Sequence, residues 1–148
     1  MDLRQQLETS LRDSLKSGDE IKKLTIRMVL SAVKFLEIEK GKTLDDSGVI
    51  SVIQKEIKSR RESIQDAQKA NRTDIIETTQ MEISILETFL PKQLTEDEIR
   101  SMANSAIEEV HAQSIADIGK VMKVIIPRIQ GRAPNGQVSQ IIRNLLLN

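Results

Sequence analysis

The sequence predicts an all-α protein: an N-terminal bundle of about four helices followed by a small three-helix C-terminal domain. Apolar residues recur at helical spacing in seven segments, and no segment shows the sustained alternation of a β-strand. Phe35 and Phe89 are the only aromatic residues of 148, so we expect an aliphatic core that contains both of them. Pro91 separates two strong helix signals, and we therefore expect domains at residues 1–93 and 94–148.

The first two helices differ in how much of their surface is apolar. The first carries one leucine per turn and ends near Gly18; these leucines are Leu3, Leu7, Leu11 and Leu15. The second, about residues 20–40, carries two apolar rows, one of which includes Leu24, Met28 and Phe35. A helix that is apolar over most of its circumference is typically central and contacted from several sides.

The third and fourth helices complete the predicted N-terminal bundle. The third spans about residues 49–70 and presents a charged outer face: Lys55, Lys58, Arg61, Glu62 and Asp66. The fourth spans about residues 73–90, with a cap expected at Thr73 or Asp74 and an end imposed by Pro91.

Three more helices follow Pro91. Thr95 and Glu98 have the spacing of a capping box, which predicts the start of the fifth helix. Ser114 and Asp117 repeat that spacing before the sixth helix, which Pro127 is expected to kink or end. A turn at residues 131–136 precedes the seventh helix, whose apolar residues are Val138, Ile141, Ile142, Leu145 and Leu146.

The residue inventory excludes several kinds of chemistry. Without cysteine there is no disulfide, no thiolate metal site and no Cys nucleophile. His111 is the single histidine, so zinc binding and a Ser-His-acid triad have no support, and we expect it to face solvent or cap a helix. Five of the six glycines fall at helix boundaries rather than in a phosphate-binding loop. We predict no catalytic residue, no metal site and no cofactor.

Charge and hydropathy bear on partners and location. The formal net charge is zero, which gives no global attraction to nucleic acid or membrane. No apolar run approaches the length of about 20 residues that a membrane helix needs, and the N-terminal sequence lacks a signal-peptide core. We therefore expect a cytoplasmic protein with no membrane partner.

The C-terminal tail has an uneven charge. Residues 114–148 contain five basic residues and one acidic residue, a net charge of +4. Lys120 and Lys123 lie about 60° apart around the predicted helix, away from its apolar stripe. Arg128 approaches them only if the helix continues past Pro127, and Arg132 lies in the next turn. A solvated helix face is the simpler interpretation of this basic patch.

Gly119 is the one glycine inside a helical pattern. A glycine there costs about 1 kcal/mol relative to alanine. Either close packing of a second helix or close approach of a partner's backbone would account for it.

Several short motifs, in their order along the chain, resemble the GatB/YqeY family and in particular its stand-alone YqeY-like proteins. In the tail these are Gly119-Lys120-Val121-Met122, Pro127, Gly131-Arg132-Ala133 and Val138-Ser139. In the N-terminal part they are Ile26-Arg27-Met28, residues 54–63, Asn71-Arg72-Thr73-Asp74, Glu82-Ile83, Leu86-Glu87 and residues 90–94.

This resemblance implies two all-α domains and a link to tRNA. A domain like this tail ends the B subunit of the tRNA-dependent amidotransferase and helps to hold tRNA, whereas the transamidation chemistry belongs to other domains. The family label of a carbon–nitrogen ligase with glutamine as amido donor is an association with that larger enzyme.

Three functions stay open from the sequence. The first is an accessory protein that binds tRNA or structured RNA through Gly119, Lys120, Lys123, Arg128 and Arg132. The second is a helical adaptor that binds another protein through the long charged third helix. The third is a glutamine-dependent amidotransferase-like enzyme, against which the absent nucleophile argues. With both Phe residues expected in the core, RNA would be bound by shape and phosphate contact rather than by base stacking.

Overall fold

The computed structural model describes residues 2–147, and every regular element in that range is helical, which confirms the all-α prediction. The described residues form one 3-10 turn (Ile115–Asp117) and seven α-helices: α1 (Leu3–Ser17), α2 (Glu20–Lys40), α3 (Asp46–Lys69), α4 (Thr73–Glu87), α5 (Glu96–Val110), α6 (Ile118–Ile129) and α7 (Asn135–Leu147).

The chain divides into two compact units, one ending at Leu90 and the other beginning at Pro91. Residues just after Pro91 are fixed to the second unit by hydrogen bonds. The Leu94 N–H donates to the Arg132 carbonyl at 2.7 Å, and the Gln93 side-chain amide donates to the Gly131 carbonyl at 3.1 Å. Independent folding of the two units as domains stays a prediction.

The core of the first unit is aliphatic and is built from all four of its helices. α2 and α3 each contact the three other helices of the unit. The fully or nearly buried side chains are Leu3, Leu7, Ile26, Val29, Val33, Val49, Val52, Ile53, Ile57, Ile83 and Leu86. The expectation that α2 is contacted by several helices is met, but the apolar row with Leu24, Met28 and Phe35 is exposed rather than covered.

A buried arginine connects α3 to α4 and α2. Arg60 on α3 is 7% exposed, and its guanidinium binds Glu56 one turn earlier at 2.7 Å and Glu82 on α4 at 3.3 Å. Its Nη2 also donates to the Sδ atom of Met28 on α2 at 3.5 Å. Because a buried charge is costly unless it is paired, both carboxylates are needed to keep Arg60 in this position.

Several residues that we expected in the first core are exposed instead. Leu15 on α1 is exposed because a four-residue repeat drifts by about 40° per step, so that Ser14 takes the buried position. Phe35 on α2 is 68% exposed, whereas Phe89 packs against the core. The prediction that both aromatic side chains lie in the core is therefore wrong for Phe35, which lies about 160° around α2 from the buried Val33.

The second unit packs α5, α6 and α7 around its own aliphatic core. Alanines on α5 let the other two helices approach closely. The buried residues are Ile99, Ala103, Ala106, Val121, Ile125, Ile129, Ala133, Val138, Ile141 and Ile142.

The helix ends test the local predictions. The capping box of α5 is present: Glu98 N–H donates to Thr95 Oγ1 at 3.2 Å and Thr95 N–H donates to Glu98 Oε1 at 3.0 Å. The hydrogen bond that the Thr95 backbone N–H donates to the Glu98 carboxylate is the main cause of the lowered pKa of Glu98. The expected cap of α4 is wrong, since Thr73 is its first helical residue and the preceding residue makes no side-chain capping bond. α3 also begins three residues before the predicted start of about 49, with Asp45 as its cap.

Candidate nucleic-acid interface

The basic residues of the tail lie on α6, in the turn that follows it (Arg132) and on α7 (Arg143). In the turn that precedes α6, the Asp117 carboxylate accepts hydrogen bonds from the backbone N–H groups of Gln113 (2.9 Å) and Ser114 (3.4 Å). The first of these is the main cause of the lowered pKa of Asp117. The turn thus fixes the direction in which α6 begins.

α6 runs through Pro127 to Ile129. Its buried side consists of Val121, Ile125 and Ile129. Proline removes one backbone donor, but the burial of Ile129 favours one more half-turn of helix. Pro127 therefore does not end this helix.

Three of the five candidate residues lie together on the exposed side of α6. These are Gly119, Lys120 and Lys123, which we call the α6 face. The Lys120 side chain is 72% exposed and its Nζ lies 3.9 Å from Asp117 Oδ1, a separation at which an exposed ion pair contributes little. Within residues 2–147, Lys123 forms no ion pair. Both lysines therefore present their charge to solvent, as the spacing predicted.

Open space surrounds Gly119. Apart from its chain neighbours and the backbone of its own helix, no atom of the described chain lies within 4 Å of a Cβ built at this position. Close packing of a second helix therefore does not explain the glycine, which is the second residue of α6 and not in a helix interior as the sequence pattern suggested. The α6 face thus combines exposed helix backbone at Gly119 with Lys123, which is unpaired within residues 2–147, and with Lys120, whose ion pair with Asp117 is long.

Arg128 and Arg132 are engaged elsewhere. Arg128 lies about 140° around α6 from Lys123, and its Nη2 binds both carboxylate oxygens of Glu109 on α5, at 2.9 and 2.7 Å. The Arg132 guanidinium donates to the carbonyls of Ile129 (3.0 Å) and Arg128 (2.8 Å), so it caps the end of α6. The structure thus brings together two of the four candidate cations, not all four.

One residue of this face was missed. Ile126 is exposed one turn beyond Lys123 and lies about 20° around the helix from Gly119. Ile126 follows Gly119 by seven residues, or about two helical turns, so the sequence alone could have placed it on the α6 face of a helix that continues past residue 125. It adds an apolar contact beside the bare backbone.

The described residues also bear on the expectations for His111, for a metal site and for a membrane-spanning helix. His111 is exposed in the left-handed conformation at the end of α5, where its N–H donates to the Glu108 carbonyl at 3.2 Å, so it caps the helix as expected. Residues 2–147 contain no group of three or more His, Cys, Asp or Glu side chains that could hold a metal ion. None of their helices is long and apolar enough to cross a membrane.

The fold defines a class of protein: an all-helical chain of two compact units with a small exposed basic face on the second. Comparison with known families is consistent with that class. The family model described as Yqey-like protein matches residues 4–146. The chain belongs to the YqeY-like protein family, and the resemblance drawn from the motifs is confirmed.

Similar curated proteins come from fungi and share the name "Altered inheritance of mitochondria protein 41, mitochondrial". The chain is 28% identical over 143 residues to that of Pyrenophora tritici-repentis, a match covering 95% of this chain and 78% of the relative. It is 35% identical over 85 residues to that of Lachancea thermotolerans and 38% identical over 84 residues to that of Kluyveromyces lactis. These matches cover 57% and 56% of this chain, and the chain covers less than half of each relative, 46% and 45%.

These names contradict the predicted location. We expected a cytoplasmic protein, but these three relatives are named as mitochondrial, so that prediction is wrong by this comparison. The evidence behind it was the absence of cysteine, of a signal-peptide core and of a membrane span. Those features separate secreted from non-secreted proteins, but they do not distinguish one reducing compartment from another.

Proposed function

We propose that this YqeY-like protein is an accessory protein that contacts the sugar–phosphate backbone of tRNA or another structured RNA through the α6 face. The observation that carries the proposal is the grouping of two exposed lysines, Lys120 and Lys123, beside the open backbone at Gly119; within the described residues the one ion pair among them, between Lys120 and Asp117, is long at 3.9 Å. The likeness of the tail to the tRNA-holding end of the amidotransferase B subunit supports the same function.

The geometry favours phosphate contact over reading of bases. Lysine ammonium groups bind phosphates as point charges and carry little sequence information. Gly119 has no side chain, so an RNA strand can approach the helix backbone there. Ile126 beside it is aliphatic and offers no stacking surface. Recognition would therefore depend on the shape of the RNA.

The structure also limits the strength of such binding. Because Arg128 is paired with Glu109 and Arg132 caps α6, about two phosphate contacts remain. We expect weak binding, with dissociation constants of roughly 10⁻⁴–10⁻⁶ M near physiological salt, and a modest loss of affinity of about tenfold between 50 and 200 mM salt.

The test is a tRNA titration with the full chain and two matched charge reversals. The first is Lys120→Glu/Lys123→Glu on α6. The second is Lys55→Glu/Lys58→Glu on α3, which has the same three-residue spacing, the same exposure and the same change in net charge. We expect the first pair to abolish binding and the second to leave most of it. Equal losses from both variants, or no salt-dependent binding of the wild type, would reject the α6 face as the binding site.

A further inference from the structure

The second surface of interest lies on α2, in the first unit and apart from the proposed RNA contact. Four large apolar side chains of this helix are exposed: Leu24 (54%), Met28 (54%), Phe35 (68%) and Ile38 (73%). They fall within an arc of about 80° that also contains the exposed Ser31. We call these four residues the α2 seam. Exposed apolar side chains that line up in this way mark interaction sites.

The spacing of the seam indicates what kind of structure covers it. Leu24, Met28, Ser31, Phe35 and Ile38 follow one another at intervals of four, three, four and three residues. This spacing, with Ser31 as its one polar member, is typical of a coiled coil, in which an apolar row of period 3.5 on one helix is covered by the matching row of another helix. The row spans about 21 Å of helix, roughly four turns. The side of α2 opposite the seam faces the core, and the seam is exposed except where the Met28 Sδ atom accepts a hydrogen bond from Arg60 on α3.

The charges beside the seam indicate the chemistry of the partner. Arg27 and Lys34 occupy the two flanking positions that face a partner helix along one edge of the seam. Both are exposed, and neither forms an ion pair within residues 2–147. Flanking charges in a coiled coil select partners of opposite sign. A partner helix should therefore carry acidic residues along the facing edge.

A second copy of this chain fits less well. A parallel pair of α2 helices would place Lys34 of one copy opposite the exposed Glu39 of the other. The same pair would place Arg27 opposite Ala32, and an antiparallel pair would bring Arg27 opposite Lys34. A second copy therefore pairs at most one of the two cations, whereas a helix with acidic residues along this edge pairs both. We propose that the α2 seam docks an amphipathic helix of another protein, one with an apolar heptad row and acidic flanking residues. The protein-binding surface proposed here is therefore the α2 seam and not the charged outer face of α3, which the sequence had suggested.

Two designed helical peptides test the proposal. Both carry three heptads with apolar a and d positions; one has Glu and the other Lys at every e and g position, so each repels itself. Their binding to the full chain is measured by fluorescence anisotropy of a dye on the peptide. We expect the Glu peptide to bind about tenfold more tightly than the Lys peptide.

Two variants of the chain separate charge selection from apolar contact. Arg27→Glu/Lys34→Glu should invert the preference between the peptides, whereas the α3 control Lys55→Glu/Lys58→Glu should preserve it. Phe35→Ser/Ile38→Ser should abolish binding of both peptides with an unchanged far-ultraviolet circular dichroism spectrum, because both side chains are already exposed.

Three results would overturn the proposal. One is equal binding of the two peptides, or no binding of either. Another is a wild-type dimer in sedimentation that Ile38→Glu converts to a monomer, which would assign the seam to a second copy. The last is binding of the wild-type chain to vesicles with anionic lipids, if that binding is lost in Phe35→Ser/Ile38→Ser. Such a result would assign the α2 seam to a membrane surface.

Discussion

Replacing Arg60 with methionine tests the contact that connects three helices of the first unit. Methionine keeps an unbranched apolar stem but removes the guanidinium that binds Glu56 and Glu82. Both carboxylates would then lose their charge partner in a partly buried site.

The size of the effect follows from the exposure of the three side chains. Removing one partner of a buried ion pair costs about 3–5 kcal/mol. The Glu56 and Glu82 side chains are 23% and 24% exposed, so they recover part of their hydration when Arg60 is gone. We therefore expect a loss of about 2–3 kcal/mol in the free energy of unfolding of the first unit. In urea, the midpoint would fall by about 1–2 M.

Circular dichroism at helical wavelengths is the suitable probe, because the chain has no Trp and no Tyr for fluorescence. Arg61→Met is the matched control: the neighbouring arginine on the same helix is exposed, so its loss should change stability by less than about 0.5 kcal/mol. If both variants lose the same small amount, Arg60 does not hold the helices together and our reasoning is refuted.

Three further predictions concern the second unit and its boundary. Gly119→Ala should stabilise the second unit in thermal unfolding by less than the roughly 1 kcal/mol of a helix interior, because Gly119 lies in the first turn of α6 and the added methyl meets no packed neighbour. The same variant should weaken tRNA binding, and unchanged binding would show that Gly119 does not contact the RNA. The folded state lowers the pKa of Asp117, so the contribution of this carboxylate to stability is complete above its usual pKa of about 4 and is lost as pH falls through the lowered pKa. Asp117→Asn should therefore weaken the dependence of stability on acidic pH. The same dependence in the variant and the wild type would refute this role of Asp117. Brief trypsin treatment should cut first after the exposed Lys92, before the hydrogen-bonded residues that follow, and first cuts within the helices would argue against a linker there.

Local features of the fold were readable from the sequence. The capping box at Thr95 and Glu98 was predictable because both partners lie within one turn and need no tertiary contact. The exposure of Lys120 and Lys123 followed from helical geometry once the apolar stripe of α6 was known. The expectation for His111 also follows from its place at a helix end.

Features that depend on packing were not readable. The apolar rows of α2 predict a central helix but do not say which row the neighbours cover, so Phe35 was assigned to the core. Glu109 precedes Arg128 by 19 residues, and only the packing of α5 beside α6 brings their charges together. α6 continues past Pro127 because Ile129 is buried. The preference of proline for helix ends does not take such burial into account.

The salt dependence of tRNA binding tests the central claim most directly. If Lys120 and Lys123 each neutralise one phosphate, the logarithm of the association constant should fall with the logarithm of salt concentration with a slope of about −2, since each contact contributes about −0.9. Lys120→Gln and Lys123→Gln should each reduce that slope by about one, whereas Lys58→Gln on α3 should leave it unchanged. A slope that is the same in all four proteins would contradict an RNA contact through the α6 face.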